Sequence, residues 1–102
     1  MSYKVVIVAD RDVSSEIEFV CSVYPGTEIW VFCGFDLEKS YSTNDHCLSC
    51  FDRMNLVGVD HDRQVVSLRA WDSRDFYMVS YDVLFVFSDV NDSKLLKKKE
   101  SA

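Results

Sequence analysis

The chain has 102 residues, a formal net charge of −6 and 48% hydrophobic residues, which suit one folded domain and exclude disorder through most of its length. Its charge is unevenly distributed. Residues 1–92 carry 7 basic and 16 acidic side chains, whereas residues 93–102 carry four Lys and one Glu. An acidic body repels phosphate backbones, so direct nucleic-acid binding is disfavoured and a protein partner with a basic surface is favoured.

The apolar segments predict neither export nor membrane insertion. No apolar stretch approaches the ~18 residues of a membrane helix, and the N-terminal apolar run is too short for a secretory signal. We therefore expect a cytoplasmic protein that does not contact a membrane. In that compartment the four cysteines are expected to be reduced thiols rather than disulfides.

The first half of the chain predicts two strands and two helices. Residues 4–9 predict the first strand, because the unbroken apolar run of residues 5–9 is typical of a strand buried on both faces, and Asp12 suits the N-cap of a following helix. Pro25-Gly26 ends that helix, and residues 28–33 predict a second strand. Ser42 or Thr43 would cap a second helix, because the next apolar positions follow a helical stripe: Cys47, Cys50, Phe51 and Met54.

The second half predicts two further strands, at residues 64–71 and 82–87, and a short helix through residues 94–97. Residues 72–81 are open between a helix and a strand that forms a hairpin with residues 64–71, with the balance slightly towards the hairpin. We expect an α/β fold: a single small domain over residues 1–92, with a mixed or parallel sheet of about four or five strands and two or three helices. Residues 93–102 are expected to be a basic tail, partly helical or disordered.

Two acidic clusters follow the two most apolar strands. Asp10 and Asp12 come directly after the first strand, and Asp89 and Asp92 come after the last one. Ligands of open α/β sheets lie beyond the carboxyl ends of the strands. Carboxylates gathered there can hold Mg²⁺ while one of them attacks phosphorus or orients water, so Asp10, Asp12 and Asp89 are candidate metal ligands.

These clusters resemble two motifs of the haloacid dehalogenase-like phosphohydrolases. Asp10-Arg11-Asp12-Val13-Ser14 resembles the first motif, D-x-D-x-[T/V], and Ser88-Asp89-Val90-Asn91-Asp92 resembles the last, G-D-x-x-N-D. The resemblance implies that Asp10 is the nucleophile, Asp12 the general acid/base, and Asp89 with Asp92 the metal-side carboxylates. The family's Ser or Thr after the second strand and its Lys before the last motif have no counterpart in this sequence.

The run from Val6 to Gly34-Phe35 is also similar to the later half of NYN/PIN-like nucleases, which implies metal-dependent RNA cleavage by clustered carboxylates. The first catalytic strand of that family has no counterpart in the sequence. A structural interpretation competes with both resemblances. Acidic residues after strands commonly cap helices, so Asp12 and Asp89 would be caps and the other acids would be solvated loop residues.

His46-Cys47-x-x-Cys50 matches half of a zinc site or a redox pair. A structural zinc needs two further ligands, which only Cys21, Cys33 or His61 could supply at irregular spacing. Because Cys47 and Cys50 share the predicted helical stripe, core packing accounts for them better.

Aromatic and acidic residues are interleaved between residues 71 and 82, a composition that suits the binding of a basic partner. The candidate binding residues are Trp71, Asp72, Asp75, Phe76, Tyr77 and Asp82. Our leading hypothesis is a small acidic regulator or inhibitor, of the kind that phage or accessory genes encode, which acts by binding another protein and needs no cofactor. The alternative is a Mg²⁺-dependent phosphohydrolase or nuclease that uses Asp10, Asp12, Asp89 and Asp92 as catalytic residues.

Overall fold

The strands of this chain form two sheets, and a helix lies beside one of them. The computed structural model describes residues 3–39, 41 and 47–87, and of Cys47 only the backbone. The described elements are β1 (Lys4–Ala9), α1 (Ser14–Val23), β2 (Glu28–Cys33), β3 (Cys47–Phe51), β4 (Met54–Asp60), β5 (Val65–Ala70), β6 (Phe76–Ser80) and β7 (Val83–Phe87). A four-stranded parallel sheet has the order β3-β2-β1-β7, and a three-stranded antiparallel sheet has the order β4-β5-β6.

The parallel sheet is the middle layer of the molecule. From β1, Val5 and Ile7 pack against α1, whereas Val6 and Val8 pack against the antiparallel sheet. β7 divides its side chains in the same way, with Phe85 on the α1 side and Leu84 on the other. Successive residues of a strand point to opposite faces, so a strand covered on both faces requires an apolar residue at every position. That requirement explains the unbroken apolar runs of β1 and β7.

The antiparallel sheet is both the third layer and the connection that returns the chain to the parallel sheet. Val66 and Leu68 of β5 are fully buried and pack against residues from β1 and β2. After β6 the chain enters β7, which pairs with β1 on the side opposite β2. The mixed-sheet, single-domain prediction therefore agrees with the structure in outline, but α1 is the one helix in the described part of the chain.

The predicted second helix is wrong. Its apolar positions fall instead in β3, which extends the parallel sheet beside β2, and at the start of β4. Asp52-Arg53 separates the two strands, and Arg53 has a left-handed backbone with φ 54°. In this short stretch helical spacing also allowed a period of two, and pairing with β2 decided the outcome. Residues 42–46, which include the proposed caps, lie outside the described residues.

Residues 72–81 follow the hairpin prediction rather than the helical one. β6 pairs with β5 in antiparallel register, with Leu68 opposite Tyr77 and Val66 opposite Val79. Two features were missed: β4 was not predicted as a strand, and the hairpin forms a sheet of its own rather than an extension of the parallel sheet. The predicted helix at residues 94–97 lies outside the described residues. No helix in the described ranges is long and apolar enough to cross a membrane.

Candidate functional site

The carboxyl ends of β1 and β7 lie side by side, as a shared acidic site requires. The two strands are parallel neighbours with Ala9 opposite Phe87, and the Asp10 backbone N–H donates to the Phe87 carbonyl oxygen at 3.2 Å. The chain leaves β1 towards β2 on one side and returns to β7 on the other, so this is the point of the sheet where ligands of α/β folds bind. Asp89 and Asp92, the second acidic cluster, lie outside the described residues.

A small crevice of about 170 Å³ opens at this edge, between the two sheets. Asp10 lines it together with Gly34, Met54 and Val86. At Gly34 the two sheets approach closely, since an added Cβ atom would lie 3.4 Å from the Met54 carbonyl oxygen. Asp10 itself is exposed and forms an ion pair with Arg11 at 3.3 Å.

Asp12 is engaged by three donors from its own chain. Its Oδ1 accepts hydrogen bonds from the Tyr41 hydroxyl at 2.9 Å, the Ser14 Oγ at 2.9 Å and the Ser14 backbone N–H at 3.2 Å. The Tyr41 hydroxyl in turn accepts from the Val13 backbone N–H at 3.2 Å. The predicted N-cap is therefore displaced by one position: Val13 occupies the N-cap, and Asp12 binds the first turn from the residue before it.

These contacts set the protonation states of the pair. The hydrogen bonds from Tyr41 and Ser14 hold the pKa of Asp12 below its usual value of 3.8, and burial raises the pKa of Tyr41 to about 12. At neutral pH Asp12 is ionised and Tyr41 carries its proton. A carboxyl group with a lowered pKa is a poor proton donor at neutral pH, unlike the general acid that the phosphohydrolase resemblance implied.

The remaining metal-ligating residues do not gather in the described part of the chain, where no group of three or more His, Cys, Asp or Glu side chains could hold a metal ion. The helical stripe predicted for Cys47 and Cys50 does not form, because the backbone of both residues belongs to β3. Cys50 packs with Cys33 on the α1 side of the sheet, and burial raises the pKa of Cys50 and raises that of Cys33 to about 11. Both are neutral thiols that contribute to the core.

A second candidate site is the outer face of the antiparallel sheet, which faces away from the parallel sheet. We call it the outer surface and define it by Asn55, Arg69, Trp71, Phe76 and Met78. Because Leu68 and Val66 are buried on the inner face, their neighbours Arg69 and Ser67 point outwards, as do Phe76 and Met78 opposite them.

Three large apolar side chains of the outer surface are exposed: Trp71 by 52%, Phe76 by 59% and Met78 by 72%. The Trp71 indole is fixed in place, since its Nε1 donates to Asn55 Oδ1 at 3.2 Å. Phe76 and Met78 lie two residues apart in β6, and exposed apolar groups that share a surface mark interaction sites more often than scattered ones do. A held aromatic ring also loses little conformational freedom when a partner covers it.

The six predicted binding residues lie in different parts of the structure. Trp71 and Phe76 belong to the outer surface, and the exposed Asp72 and Asp75 border it around the β5–β6 turn. Tyr77 lies opposite Leu68, so it points to the inner side, where 47% of it is exposed. Asp82 is tied to the other sheet, as its carboxylate accepts from the Lys4 backbone N–H at 2.7 Å. The sequence reasoning missed Met78, which the period-two alternation with Phe76 could have revealed.

β6 also forms one edge of the antiparallel sheet. It pairs with β5 on one side, and no other described strand pairs with it. An edge strand presents a row of backbone N–H and carbonyl groups to any chain that can lie beside it. The apolar side chains of the outer surface and the open backbone edge therefore meet on β6.

No family model matches the sequence, and no curated protein is similar to it at a significant level. Two solved structures share the fold. A pyridine nucleotide-disulfide family oxidoreductase from Enterococcus faecalis V583 is 19% identical with a TM-score of 0.63, and the match covers 83% of this chain and 22% of that one. The water-forming NADH oxidase from Lactobacillus brevis, bound to NADH, is 17% identical with a TM-score of 0.58, covering 83% and 24%. This chain thus spans less than a quarter of either oxidoreductase, and at these identities the likeness concerns the fold alone.

Proposed function

We propose that this protein acts by binding another protein through the outer surface and the open edge of β6. The observation that carries the proposal is the exposure of Trp71, Phe76 and Met78 on one face of a sheet whose opposite face is buried. Exposed Trp and Phe lower the solubility of a protein. Aromatic residues and Met are also enriched at protein interfaces.

The edge of β6 suggests how the partner binds. An extended segment of a partner can add a strand to an exposed sheet edge, where backbone hydrogen bonds supply affinity and alternate side chains supply specificity. Along β6 the outward positions of Phe76 and Met78 would contact every second residue of such a segment. We therefore propose a partner that contributes an extended strand with apolar residues at alternate positions.

The charge of the chain suggests that this partner is basic. Residues 1–92 hold 16 acidic and 7 basic side chains, and the exposed β5–β6 turn that borders the outer surface carries Asp72 and Asp75 with Arg74 between them. Opposite charge around an apolar centre accelerates encounter and discriminates against acidic competitors. Arg69 lies within the outer surface, so basic residues of the partner are expected at its rim rather than at its centre.

Nothing in the geometry of the described residues favours the magnesium-dependent alternative over protein binding. Asp12 is held by Tyr41 and Ser14, and Asp10 is paired with Arg11. That hypothesis depends on where Asp89 and Asp92 lie, and a calorimetric titration with Mg²⁺ remains its direct test, with Asp10→Asn/Asp89→Asn as the variant.

The binding proposal is tested by site-specific photo-crosslinking in cells. A photoreactive phenylalanine analogue replaces Met78, and the matched control carries it at Phe19 of α1, which is 62% exposed. We expect position 78 to capture one partner that position 19 does not capture. That partner is then purified and titrated against the wild-type chain, Met78→Glu and Phe19→Glu.

In the titration we expect Met78→Glu to weaken binding at least about tenfold, because it places a charge in a desolvated contact. Phe19→Glu should change the affinity by less than about twofold, which is close to no change in the binding free energy. Equal weakening by both variants, or capture at position 19 alone, would contradict the proposal. Capture of a second copy of this chain at position 78 would also contradict it, since the occupant would then be an acidic protein.

A further inference from the structure

The turn between β1 and α1 lacks the glycines that dinucleotide-binding turns contain. In dinucleotide-binding units of this topology the diphosphate lies on the N-terminus of the helix that follows the first strand, over a turn that contains several glycines. Those glycines make the turn tight and let the phosphates approach the backbone. The corresponding connection here is Asp10-Arg11-Asp12-Val13, which contains no glycine.

Two backbone N–H groups at the start of α1, those of Val13 and Ser14, are already satisfied by the chain itself. The Ser14 N–H donates to the Asp12 carboxylate, and the Val13 N–H donates to the Tyr41 hydroxyl. Tyr41 is held in place because it packs against the apolar core beside α1. A bound diphosphate would have to displace both acceptors, at the cost of the hydrogen bonds that link Asp12, Tyr41 and Ser14.

Charge at this edge opposes a diphosphate as well. The Asp12 carboxylate lies at the positive end of the α1 dipole, where it supplies the negative charge that a phosphate would otherwise bring. Asp10 adds a second carboxylate on the wall of the adjacent crevice. Because Asp10 is paired with Arg11, the charge that opposes a dianion at the helix N-terminus is chiefly that of Asp12, and it raises the free energy of binding.

We infer that the Asp12 carboxylate, held by Tyr41 and Ser14, occupies the place of a dinucleotide diphosphate at the N-terminus of α1, so that this chain binds no dinucleotide there. The fold that it shares with the two oxidoreductases is retained as a scaffold. An internal carboxylate completes the helix N-terminus in place of a bound ligand.

The first test is a calorimetric titration of the full chain with NADH and, separately, with FAD at low salt. We expect no saturable binding below about 1 mM, which corresponds to a binding free energy weaker than about −4 kcal/mol. Saturable binding that shifts the amide resonances of residues 10–14 in an NMR spectrum would overturn the inference. Binding that leaves those resonances unchanged supports it, because the ligand then lies elsewhere.

The second test asks whether Asp12 is the group that excludes the anion. Asp12→Gly removes the internal carboxylate, and Asp10→Gly is the matched control that makes the same change in the same turn. We expect inorganic pyrophosphate to raise the midpoint of thermal unfolding of Asp12→Gly and to leave the wild-type chain and Asp10→Gly unchanged.

Asp12→Asn serves as a second variant if Asp12→Gly does not fold, since Asn keeps an oxygen acceptor for Ser14 and Tyr41 and loses the charge. An equal rise in all chains would show that the helix N-terminus is accessible despite Asp12. No rise in any folded Asp12 variant would show that another group excludes the anion. Either result overturns the inference.

Discussion

The two sheets of this protein differ in how far their faces are covered by other elements. The parallel sheet is covered on both faces, by α1 on one side and by the antiparallel sheet on the other. Among the described residues, the antiparallel sheet is covered only on its inner face, and its outer face exposes Trp71, Phe76 and Met78. The difference teaches that apolar residues are buried in the first sheet and partly exposed in the second, where we propose that a partner binds.

The same contrast separates the two candidate sites. At the carboxyl edge of the parallel sheet, Asp12 Oδ1 accepts hydrogen bonds from Tyr41 and Ser14, and Asp10 is paired with Arg11. On the outer surface, polar contacts such as Trp71 with Asn55 fix the side chains but leave their apolar parts in water. The described acidic residues at this edge therefore form contacts within the chain, whereas the apolar residues of β6 are exposed, which is why we propose β6 as the binding site.

The largest expected effect comes from the centre of the parallel sheet. Ile7 is fully buried in β1, opposite Val31 on one side and Phe85 on the other. We expect Ile7→Ala to lower the free energy of unfolding by about 2–5 kcal/mol, through lost transfer energy and the cavity that remains. Urea denaturation measures the change. A loss below about 1 kcal/mol would mean that the two-faced burial of β1 is not the main source of stability.

A smaller effect distinguishes the glycines of the two regions. Gly26, between α1 and β2, has a left-handed backbone with φ 73°, whereas Gly58 of β4 has neither a positive φ nor any atom within 4 Å of an added Cβ. We expect Gly26→Ala to destabilise by about 1–2 kcal/mol, the cost of a left-handed Ala. Gly58→Ala should be neutral or stabilising by up to about 1 kcal/mol. Chemical denaturation compares the two, and a reversed order would contradict the assigned backbone geometry.

The Asp12–Tyr41 pair predicts a pH dependence. Tyr41→Phe should lower the free energy of unfolding at pH 7 by about 1 kcal/mol, a typical value for a lost hydroxyl contact. Because the pKa of Asp12 is lowered in the folded state, chiefly by the Tyr41 hydrogen bond, its stabilisation is complete above pH 3.8 and is lost as the pH falls through the lowered value. The difference between the two chains should therefore shrink below pH 4.

An NMR titration of the Asp12 carboxyl group checks the cause directly. In the Tyr41→Phe chain its pKa should move up towards 3.8, since the largest contribution to the shift has been removed. Tyr24→Phe is the matched control, because Tyr24 packs at the other end of α1 and contacts the Phe85 ring. An unchanged Asp12 pKa in Tyr41→Phe would show that the two side chains are not coupled.

The smallest expected effect is on the outer surface. Met78 is 72% exposed, so Met78→Ser should change the free energy of unfolding by no more than about 0.5 kcal/mol. Denaturation at two protein concentrations checks this. A loss comparable to that of Ile7→Ala, or one that grows with protein concentration, would show that the outer surface is buried between copies of this chain and would erase the contrast between the sheets.

Much of the parallel sheet could be predicted from local sequence. β1 and β2 were both predicted with their observed bounds. Each contains an unbroken apolar run, which is typical of a strand that is covered on both faces. α1 was indicated by the spacing of Val13, Ile17 and Val20, which are buried. For β3 and β4 the same method failed, since the short stretch from Cys47 to Met54 satisfies both periods and Arg53 gives no sign of its left-handed turn.

The candidate sites were predictable only in part, for a similar reason. The sequence placed Asp10 and Asp12 beyond β1 and placed the other cluster beyond a second buried strand, and the pairing of β1 with β7 agrees with that placement. It could not show that Tyr41, 29 residues away, donates to Asp12. Nor could it separate Phe76, which points outwards, from Tyr77, which points to the inner side, before the register with β5 was known.

By itself, the sequence determined which segments must be buried on two faces and that the body is acidic, because composition and periodicity are local properties. Only the tertiary structure decided that the antiparallel strands form a separate layer, that no other described element covers one of their faces, and that Asp12 accepts a hydrogen bond from a distant tyrosine. Those outcomes depend on pairings between segments far apart in the chain, whose free energies no local pattern encodes.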